Sequence, residues 1–566
     1  MKKLYFSLFV LSMCGLWTNH VQGQSLAVGS TVLEDYYRRK QLLGELDSTI
    51  SFSIRPLYPA ALKVDNVFDP EGSLVNDGYF TSSGPSHFAN GHGVFQLLPF
   101  SLQQQFNSHH PYGGNDGAMI PARGYQTLVT GGFFVKLGPL SIQLKPEFVY
   151  AQNKDFDGFA LDRSDAELSN YYKVYNMLDA PEQFGKGAYH KANWGQSSIR
   201  LTAGPVSLGL SNENLWWGPG IANSLMMSNN AAGFKHLTLN TIRPIKTWIG
   251  SFEAQIIAGK LENSGLTPLS VTTNSVGNGL FVPYDNDWRY LTGFNISYHP
   301  KWIPGLFLGF TRDFMSYSND LNKFGDYFPF FTPVQKVKSG IDGDPFDRDQ
   351  RLSGYVRWVM KKARAEIYFE YALNDNSYNF RDFLGSPDHS RAYTFGLSKL
   401  IELKTRKDEF IQVNVEVNQL SQTVDRLIRP AGSGFYLHYQ VRQGYTNLGQ
   451  VLGSGMGNSG NFQTISFNWV KGLKKLGVSF DHLEHSADLY NAYIGDLNGN
   501  SRRWIDFAIA AQGQWDYKNL LFSAKLQGIK SLNYQWRMKD YTPDEYYVPH
   551  NDVFNFHGEL GVTFRF

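Results

Sequence analysis

The last thirteen residues of the chain alternate between two kinds of side chain, a pattern that constrains the fold more than any other feature. One row is apolar and consists of Phe554, Phe556, Gly558, Leu560, Val562, Phe564 and Phe566. The row between them consists of Asn555, His557, Glu559, Gly561, Thr563 and Arg565. A period of two residues is that of a β-strand with one polar face. Because a strand of this length, tilted by about 45°, spans the apolar core of a bilayer, the sequence predicts a membrane strand.

The same alternation recurs along the chain. Residues 125–137 and 140–150 alternate on either side of Gly138-Pro139, and residues 411–418 alternate Ile or Val with polar side chains. We count about sixteen to eighteen candidate strands, and several exceed the ~5–6 residues usual in soluble proteins. The sequence therefore predicts an all-β fold, a transmembrane antiparallel β-barrel over residues 91–566. A soluble, secreted β-sandwich is the alternative.

The N-terminus has the pattern of a secretion signal. Lys2 and Lys3 precede an apolar stretch at 4–17, and Val21-Gln22-Gly23 provides a cleavage site, so residues 1–23 are predicted to be removed. A lipoprotein signal is the alternative, in which Cys14 would be acylated, although the bulky Met13 precedes it.

Residues 24–90 are predicted to form a periplasmic helical or plug segment. Thr31 and Glu34 have the spacing of a capping box, and apolar residues from Val32 to Leu46 recur at helical intervals. We therefore predict one amphipathic helix over 31–46, with Arg38, Arg39 and Lys40 on its surface. A plug or pedestal and a linker helix on the barrel rim both remain open.

The C-terminal pattern also predicts topology, because both chain ends of an even-stranded bacterial barrel face the periplasm. The final strand then runs down to Phe566, residues 516–519 form a periplasmic turn, and residues 533–552 form an external loop. A last strand that ends on Phe566 is similar to the signal by which the barrel assembly machinery recognises its substrates, so that machinery is a predicted partner.

Composition and motifs exclude several classes of protein. Lys+Arg total 52 against 50 Asp+Glu, and a net charge of +2 argues against a nucleic-acid partner. A single cysteine excludes a disulfide framework, and no cofactor or metal is predicted.

The glycines of 455–460 match a dinucleotide motif, but a strand follows them instead of a helix. Residues 342–347 and 496–500 resemble calcium loops imperfectly and are predicted to be turns. No catalytic motif is present, and a non-enzymatic protein is predicted.

The candidate binding segment combines adjacent tryptophans with amides and a carboxylate. Aromatic rings stack on the C–H faces of sugars, while amides and carboxylates pair with sugar hydroxyls. The predicted polysaccharide-binding residues are Asn212, Glu213, Asn214, Trp216, Trp217, Asn229 and Asn230. Two structural alternatives compete with this interpretation: an aromatic girdle at the bilayer edge, and packing inside the barrel.

At this segment the sequence resembles a known family. Trp216-Trp-Gly-Pro-Gly220 with Ser228-Asn-Asn-Ala231 resembles the Wzi family of outer-membrane capsule-assembly proteins. Other stretches that carry the resemblance are 33–44, 51–57, 145–150, 195–200, 387–393 and 444–453. The resemblance implies an 18-stranded barrel with an N-terminal helical element at the periplasmic end. It also implies a lectin-like role in holding newly exported capsular polysaccharide at the cell surface.

The predicted function is thus a lectin-like barrel in the outer membrane of a Gram-negative bacterium, with surface polysaccharide and outer-membrane lipid as partners. An outer-membrane porin or uptake channel is the alternative, because a barrel of 16–18 strands can leave an aqueous channel. An outer-membrane hydrolase is a third hypothesis, although no sequence signature supports it.

Overall fold

The computed structural model describes residues 24–76, 78, 84–160, 163–330, 348–374, 380–385, 387, 389–422, 434–495, 503–538 and 548–566. Three predicted segments lie outside these residues: the signal peptide at 1–23 and the two calcium-like segments at 342–347 and 496–500.

The chain forms one closed antiparallel β-barrel of 18 strands, as the sequence and the family resemblance predict. In chain order the strands, β1 to β18, are Gly93–Asn107; Gly124–Leu137; Leu140–Leu144 with Glu147–Ala151; Tyr189–Asn193 with Ser198–Ala203; Val206–Ser211; His236–Thr241 with Ile245–Lys246; Gly250–Leu261; Arg289–Pro300; Leu306–Tyr317; Asp349–Met360; Ala365–Asn374; Arg391–Glu402; Phe410–Gln419; Asn461–Lys471; Lys474–Glu484; Ile505–Tyr517; Leu520–Leu532; and Val553–Phe564. Strand β18 pairs with β1 from His557↔Asn107 to Phe564↔Phe100, which closes the barrel and removes its edges.

The two rows of the final strand face opposite environments. Asn555 and His557 are fully buried in the lumen, whereas Phe554, Phe556 and Leu560 are exposed on the outer wall. A lipid-facing wall requires this arrangement, because every backbone polar group is paired within the sheet and only apolar side chains meet the acyl chains. The prediction of a membrane barrel is confirmed, and the soluble sandwich is wrong.

The two ends of the barrel differ in their connections. Tight turns such as Gly138-Pro139 and Lys518-Asn519 join strands at one end, whereas long segments such as 262–288 join them at the other. The predicted turn at 516–519 lies at the end with short turns, and the described parts of the predicted loop at 533–552 lie at the other end. Residues 539–547 of that loop lie outside the described residues. Short turns mark the periplasmic end of such barrels.

The described residues also form short helices and strands outside the barrel wall. The helices are Thr31–Leu43, Pro59–Leu62, Asp165–Tyr175, Phe324–Tyr327, Phe380–Gly385 and Ala487–Leu489. The strands are Ser86–Phe88, which pairs with the start of β1, Ile54–Arg55, Trp216–Trp217, Thr446–Asn447 and Gln450–Val451. Among the described helices, none has the length and apolarity needed to cross a membrane.

The N-terminal helix covers Thr31–Leu43 and is three residues shorter than predicted. It ends because Gly44 adopts a left-handed conformation, with φ +80°, and its N–H bonds back to the last turn. The predicted capping box is wrong: Ser30 is the N-cap residue and makes no side-chain cap hydrogen bond. Glu34 instead forms an ion pair with Arg55, 3.2 Å away, because the helix start is buried in the lumen.

The prediction that Arg38 and Arg39 lie on the helix surface is also wrong, since both are buried. Arg38 Nε lies 2.6 Å from Glu366 Oε1 on the lumen wall. The other oxygen of Glu366 accepts a hydrogen bond from Arg357 Nε at 2.7 Å. Arg357 also donates to Ser51 O and Gln41 Oε1, both at 2.8 Å. A helix that sits in a polar lumen buries its charged face, which periodicity by itself cannot distinguish from a solvent-exposed face.

Residues 24–76, which we call the insert, therefore lie inside the barrel at its short-turn end. Their apolar side chains pack against wall residues near the turns, including Leu98, Leu473 and Leu521. At the same end, Arg39 Nη1 donates to the Gly472 carbonyl in the turn between β14 and β15, at 2.9 Å. These contacts favour a plug over a helix that lies along the rim.

The external segments fold inward over the opposite mouth and share one apolar core. Helix Asp165–Tyr175, which is capped by a reciprocal Ser164–Glu167 pair, contributes Leu168 and Tyr172 to this core. Residues 434–460 contribute Phe435 and Tyr445. The mouth is thus roofed by packed loops.

We expect Glu366→Ala to destabilise the barrel by about 3–5 kcal/mol, because it leaves the buried Arg38 and Arg357 guanidinium groups without their shared anion. Urea unfolding of the detergent-solubilised protein, followed by tryptophan fluorescence, measures the change. The matched control is Glu402→Ala, which breaks the exposed pair with Arg364 and should cost less than about 1 kcal/mol. Equal losses for the two variants would contradict the proposed dependence on the buried pairs.

Candidate functional site

Residues 212–235, which we call the inner loop, connect strands β5 and β6 and turn into the lumen. Within this loop Trp216–Trp217 pairs with Ile54–Arg55 of the insert as a small antiparallel sheet. The Gly218 N–H extends the contact by donating to Ser53 O at 3.0 Å. Gly218 has φ +138°, and a Cβ there would lie 2.7 Å from the Glu370 carboxylate, so only glycine fits. The two chain segments that enter from opposite ends meet in the lumen.

Both predicted tryptophans are buried inside the barrel, with Trp216 4% and Trp217 0% exposed. Trp217 Nε1 donates to Gln255 Oε1 of the wall at 2.7 Å. The Arg55 guanidinium lies over the Trp216 ring, 4.4 Å from its centroid. Of the two structural alternatives, packing inside the barrel is correct for these rings and the membrane girdle is wrong.

The neighbouring carboxylate is paired with the wall. Glu213 Oε2 lies 2.6 Å from Arg200 Nη2 and accepts a hydrogen bond from Ser211 Oγ at 2.9 Å. Burial by itself would raise the pKa of the Glu213 carboxyl, but Arg200 and the hydrogen bonds hold that pKa below its ordinary value. Glu213 is therefore charged and anchors the start of the inner loop.

The four predicted asparagines bond chiefly to the protein itself. Asn214 Nδ2 donates to Asn229 Oδ1 at 2.8 Å and to Ala231 O at 2.9 Å. Asn212 Nδ2 donates to Gly195 O at 3.1 Å. Asn229 Nδ2 donates to Asn115 O, and Asn230 Nδ2 to Val451 O, both at 2.9 Å. These amides tie the inner loop to the wall and to its neighbouring loops.

The structure thus brings the seven predicted residues into one neighbourhood, but it does so as the scaffold of the inner loop. Asn229 and Asn230 are half-buried, and Asn229 lines a lumen cavity of about 200 Å³ beside the insert. A polymer outside the cell would reach the Trp216 and Trp217 rings only if the inner loop left the lumen. That these seven residues bind polysaccharide stays a prediction.

Residues 434–460 lie over the inner loop and hold it in place. Tyr436 OH donates to Leu225 O, and Ser228 N donates to Leu452 O, both at 2.9 Å. Ser454 Oγ donates to Asn223 Oδ1 at 3.0 Å. Residues 455–460, which match a dinucleotide motif in sequence, lie in a loop that leads directly into strand Asn461–Lys471, as predicted. In the described part of the chain, no three His, Cys, Asp or Glu side chains are placed to hold a metal ion.

Sequence reasoning missed a second group of polar and aromatic side chains, on the outer surface of the mouth. We call this group the crown; it consists of Asn170, Lys173, Tyr490, Asn491, Tyr493 and Arg503. All six side chains are partly or largely exposed. The spacing of Ser164 and Glu167 is a capping-box signal that could have identified the helix carrying two of them.

The crown joins two loops that are far apart in sequence. Asn170 Nδ2 donates to Tyr493 O at 3.0 Å, and Lys173 Nζ lies 5.2 Å from the Tyr493 ring centroid. Arg503 Nη2 donates to Asn491 Oδ1 at 3.1 Å, and its guanidinium lies 5.7 Å from the Tyr490 ring centroid. Tyr490–Ile494 forms a π-helical turn, a rare geometry that is frequent at functional sites. Rings, amides and cations are thus presented together to the outside.

Comparison with known proteins identifies relatives by family and by fold. A family model described as capsule assembly protein Wzi matches residues 122–526. No curated protein sequence matches the chain. Among solved structures, Escherichia coli Wzi, described as an outer-membrane protein involved in group 1 capsule assembly and a carbohydrate-binding β-barrel, is 11% identical with a TM-score of 0.58. The match covers 96% of this chain and 99% of that chain.

Two other solved structures match less well. Acinetobacter baumannii OccAB2 is 8% identical, with a TM-score of 0.36 and coverage of 83% of this chain and 98% of that chain. Pseudomonas aeruginosa OpdQ is 8% identical, with a TM-score of 0.38 and coverage of 83% and 97%. Since the family model spans well over half of the sequence, the chain belongs to the Wzi family of capsule assembly proteins and is an 18-stranded barrel of the Gram-negative outer membrane.

Proposed function

We propose that this barrel is a non-enzymatic, lectin-like protein that binds capsular or exopolysaccharide and helps to assemble or attach it at the cell surface. The observation that carries the proposal is the roofed mouth: packed loops cover it and present the crown outward. Family membership and the carbohydrate binding described for E. coli Wzi support the same role.

The crown has the chemistry that a sugar polymer requires. The Tyr490 and Tyr493 rings pack partly against the apolar core and expose the rest of their surface for C–H stacking. The Asn170 and Asn491 amides each make hydrogen bonds within the crown and keep further donor and acceptor capacity for hydroxyls. The cationic Lys173 suits a polymer that carries carboxylates or phosphates, whereas Arg503 is already paired with Glu484 at 2.6 Å. One such contact is weak, but a repeating polymer that engages many barrels gains affinity through effective concentration.

The contents of the lumen argue against the porin alternative. The insert enters from the short-turn end, the inner loop enters from the other, and they share the Ile54–Arg55 and Trp216–Trp217 sheet. The larger cavities between the insert and the wall measure about 200, 300 and 480 Å³, and the last of these lies beside the short turns. They flank the insert, and the packed external loops lie between them and the outside.

We expect the purified barrel to be electrically silent in planar bilayers, because its lumen is occupied along the axis. Single-channel recording at both polarities measures this, with a general porin as the positive control for insertion. Steady unitary conductance of the wild-type protein would favour the channel function over the proposed one.

We expect Tyr490→Ala and Tyr493→Ala each to weaken binding of polysaccharide extracted from the protein's own cells by about five- to tenfold, the loss of one stacking contact of about 1 kcal/mol. Calorimetric titration of the detergent-purified barrel measures the affinity. Tyr517→Ala is the control, since Tyr517 is an exposed tyrosine at the short-turn end of the barrel, far from the crown.

Trp216→Ala and Trp217→Ala separate the crown from the predicted inner-loop site. If binding occurs at the crown, variants that remain folded keep wild-type affinity; if the inner loop binds the polymer, they lose it. The lectin proposal itself fails if the wild-type protein does not bind its own polymer and if deletion leaves the surface polymer unchanged. Turnover of the polymer by pure protein would contradict the non-enzymatic part of the proposal.

We also infer that residues 1–23 are removed on export and that the barrel assembly machinery recognises the end of β18 at Phe566. Phe566 contacts Phe564, with ring centroids 5.0 Å apart, and continues the lipid-facing row. We expect the intact mass of the wild-type protein to correspond to a chain that begins at Gln24. We also expect Phe566→Ala to give less folded barrel in the outer membrane than the wild-type protein gives. Thr563→Ala, on the lumen-facing row of the same strand, is the control. Wild-type levels of Phe566→Ala would contradict the inference.

A further inference from the structure

Strands β8 and β9 carry a lipid-facing wall over the part of their length nearer the short turn that joins them. Ile296 on β8 and Leu308 and Phe310 on β9 are exposed on the outside. The neighbouring residues Asn295 and Thr311 are fully buried in the lumen. The outward row on β8 therefore consists of even-numbered residues, and it also includes Tyr290 and Phe294 near the external end.

The segment after β9 folds back over this outer wall instead of joining the roof of the mouth. We call residues 318–330 the flap. Tyr290 OH donates to Tyr327 O at 2.9 Å, and the two rings meet edge to face with centroids 5.6 Å apart. Phe330 contacts the outward Phe294 in the same way at 5.1 Å. The flap is thus seated on the outside of the barrel.

The flap reaches the top of the apolar band. Phe294 lies five residues from Arg289, the external end of β8, which corresponds to roughly 12 Å along the axis for a strand tilted by about 45°. Phe294 also contacts Phe310, with ring centroids 5.9 Å apart, and Phe310 faces lipid. Phe330 therefore lies beside the upper end of the exposed apolar wall, where its carbonyl accepts a hydrogen bond from Arg312 Nη1 of β9 at 3.3 Å.

The flap's own outer face is aromatic and exposed. Phe324 is 83% exposed, and Tyr327 and Phe328 are also exposed. Phe324 contacts Phe328 at 6.2 Å, and Phe328 contacts Phe330 at 5.8 Å. The rings form an unbroken series from the tip of the flap to the lipid-facing wall. Lys323, beside Phe324, is exposed and adds a cation next to the apolar face.

We propose that the flap inserts this aromatic face among the acyl chains of the outer leaflet and anchors the barrel to its surrounding lipid. Exposed aromatic surface of this kind is unfavourable in water. Aromatic rings beside a lysine are typical of the membrane interface, where the ring meets the chains and the ammonium meets anionic headgroups. Continuity with the lipid-facing wall identifies lipid as the occupant.

Site-directed spin labelling tests the proposal, because the chain has a single cysteine, Cys14. In a Cys14→Ala background, a nitroxide at Phe324→Cys reports its collisions with oxygen, which concentrates in lipid, and with a nickel chelate, which stays in water. The barrel is reconstituted in vesicles of phosphatidylcholine and phosphatidylglycerol. Ile509→Cys, on the lipid-facing wall, is the lipid control, and Val276→Cys, 76% exposed on an external loop, is the water control.

We expect the oxygen-to-nickel ratio at Phe324→Cys to shift to the value found at Ile509→Cys and away from that at Val276→Cys. A ratio equal to that at Val276→Cys would overturn the proposal, because the flap would then face water. Dipolar broadening between labels on two barrels would also overturn it, since a second copy would then cover the face. Neither result depends on polysaccharide binding, so the flap and the lectin function fail independently.

Discussion

The buried ion pairs between the lumen wall and the insert are the interaction on which the rest of the structure depends. A barrel with a polar inner row must satisfy those side chains, and Glu366 does so by sharing its carboxylate between Arg38 of the insert and Arg357 of the wall. Each charge is expensive to bury by itself and tolerable when paired. The insert therefore fits one position in the lumen, and its backbone then offers an edge for other segments.

That edge positions the inner loop. Ile54–Arg55 pairs with Trp216–Trp217, and Arg55 both covers the Trp216 ring and bonds to Glu34. A segment from the periplasmic side and a segment from the external side thus stabilise each other at the centre of the barrel. The external loops pack on this foundation, which explains how loops of such length form a single apolar core.

Filling the lumen leaves the outer surfaces for function. The crown presents rings, amides and cations above the mouth, and the flap presents an aromatic face beside the wall. The chemistry of the first surface suits a sugar polymer, and the chemistry of the second suits a lipid. A protein that holds a polymer at the cell surface must bind the polymer and must also resist being pulled from the membrane, and we propose that the crown and the flap serve these two needs.

The prediction about the charged face of the N-terminal helix failed for a physical reason. Periodicity correctly located the N-terminal helix, yet it assigned Arg38 and Arg39 to the surface, because a polar face looks the same toward a polar lumen as toward water. That the adjacent Trp216 and Trp217 bind a sugar stays a prediction, and it rests on composition. Composition does not reveal that Trp217 donates a hydrogen bond to Gln255 or that Arg55 covers the Trp216 ring.

The sequence by itself determined that the chain is a membrane barrel, which direction the last strands run and which family it resembles. The membrane strands follow from local alternation, because the side-chain period of a strand is two residues wherever the strand lies. The family resemblance follows from short motifs such as Trp216-Trp-Gly-Pro-Gly220. Tertiary structure decided which polar residues are buried, which loops fill the mouth and which lie outside it. Those outcomes depend on partners distant in sequence, such as Arg38 with Glu366 or Phe330 with Phe294, and no local pattern encodes them.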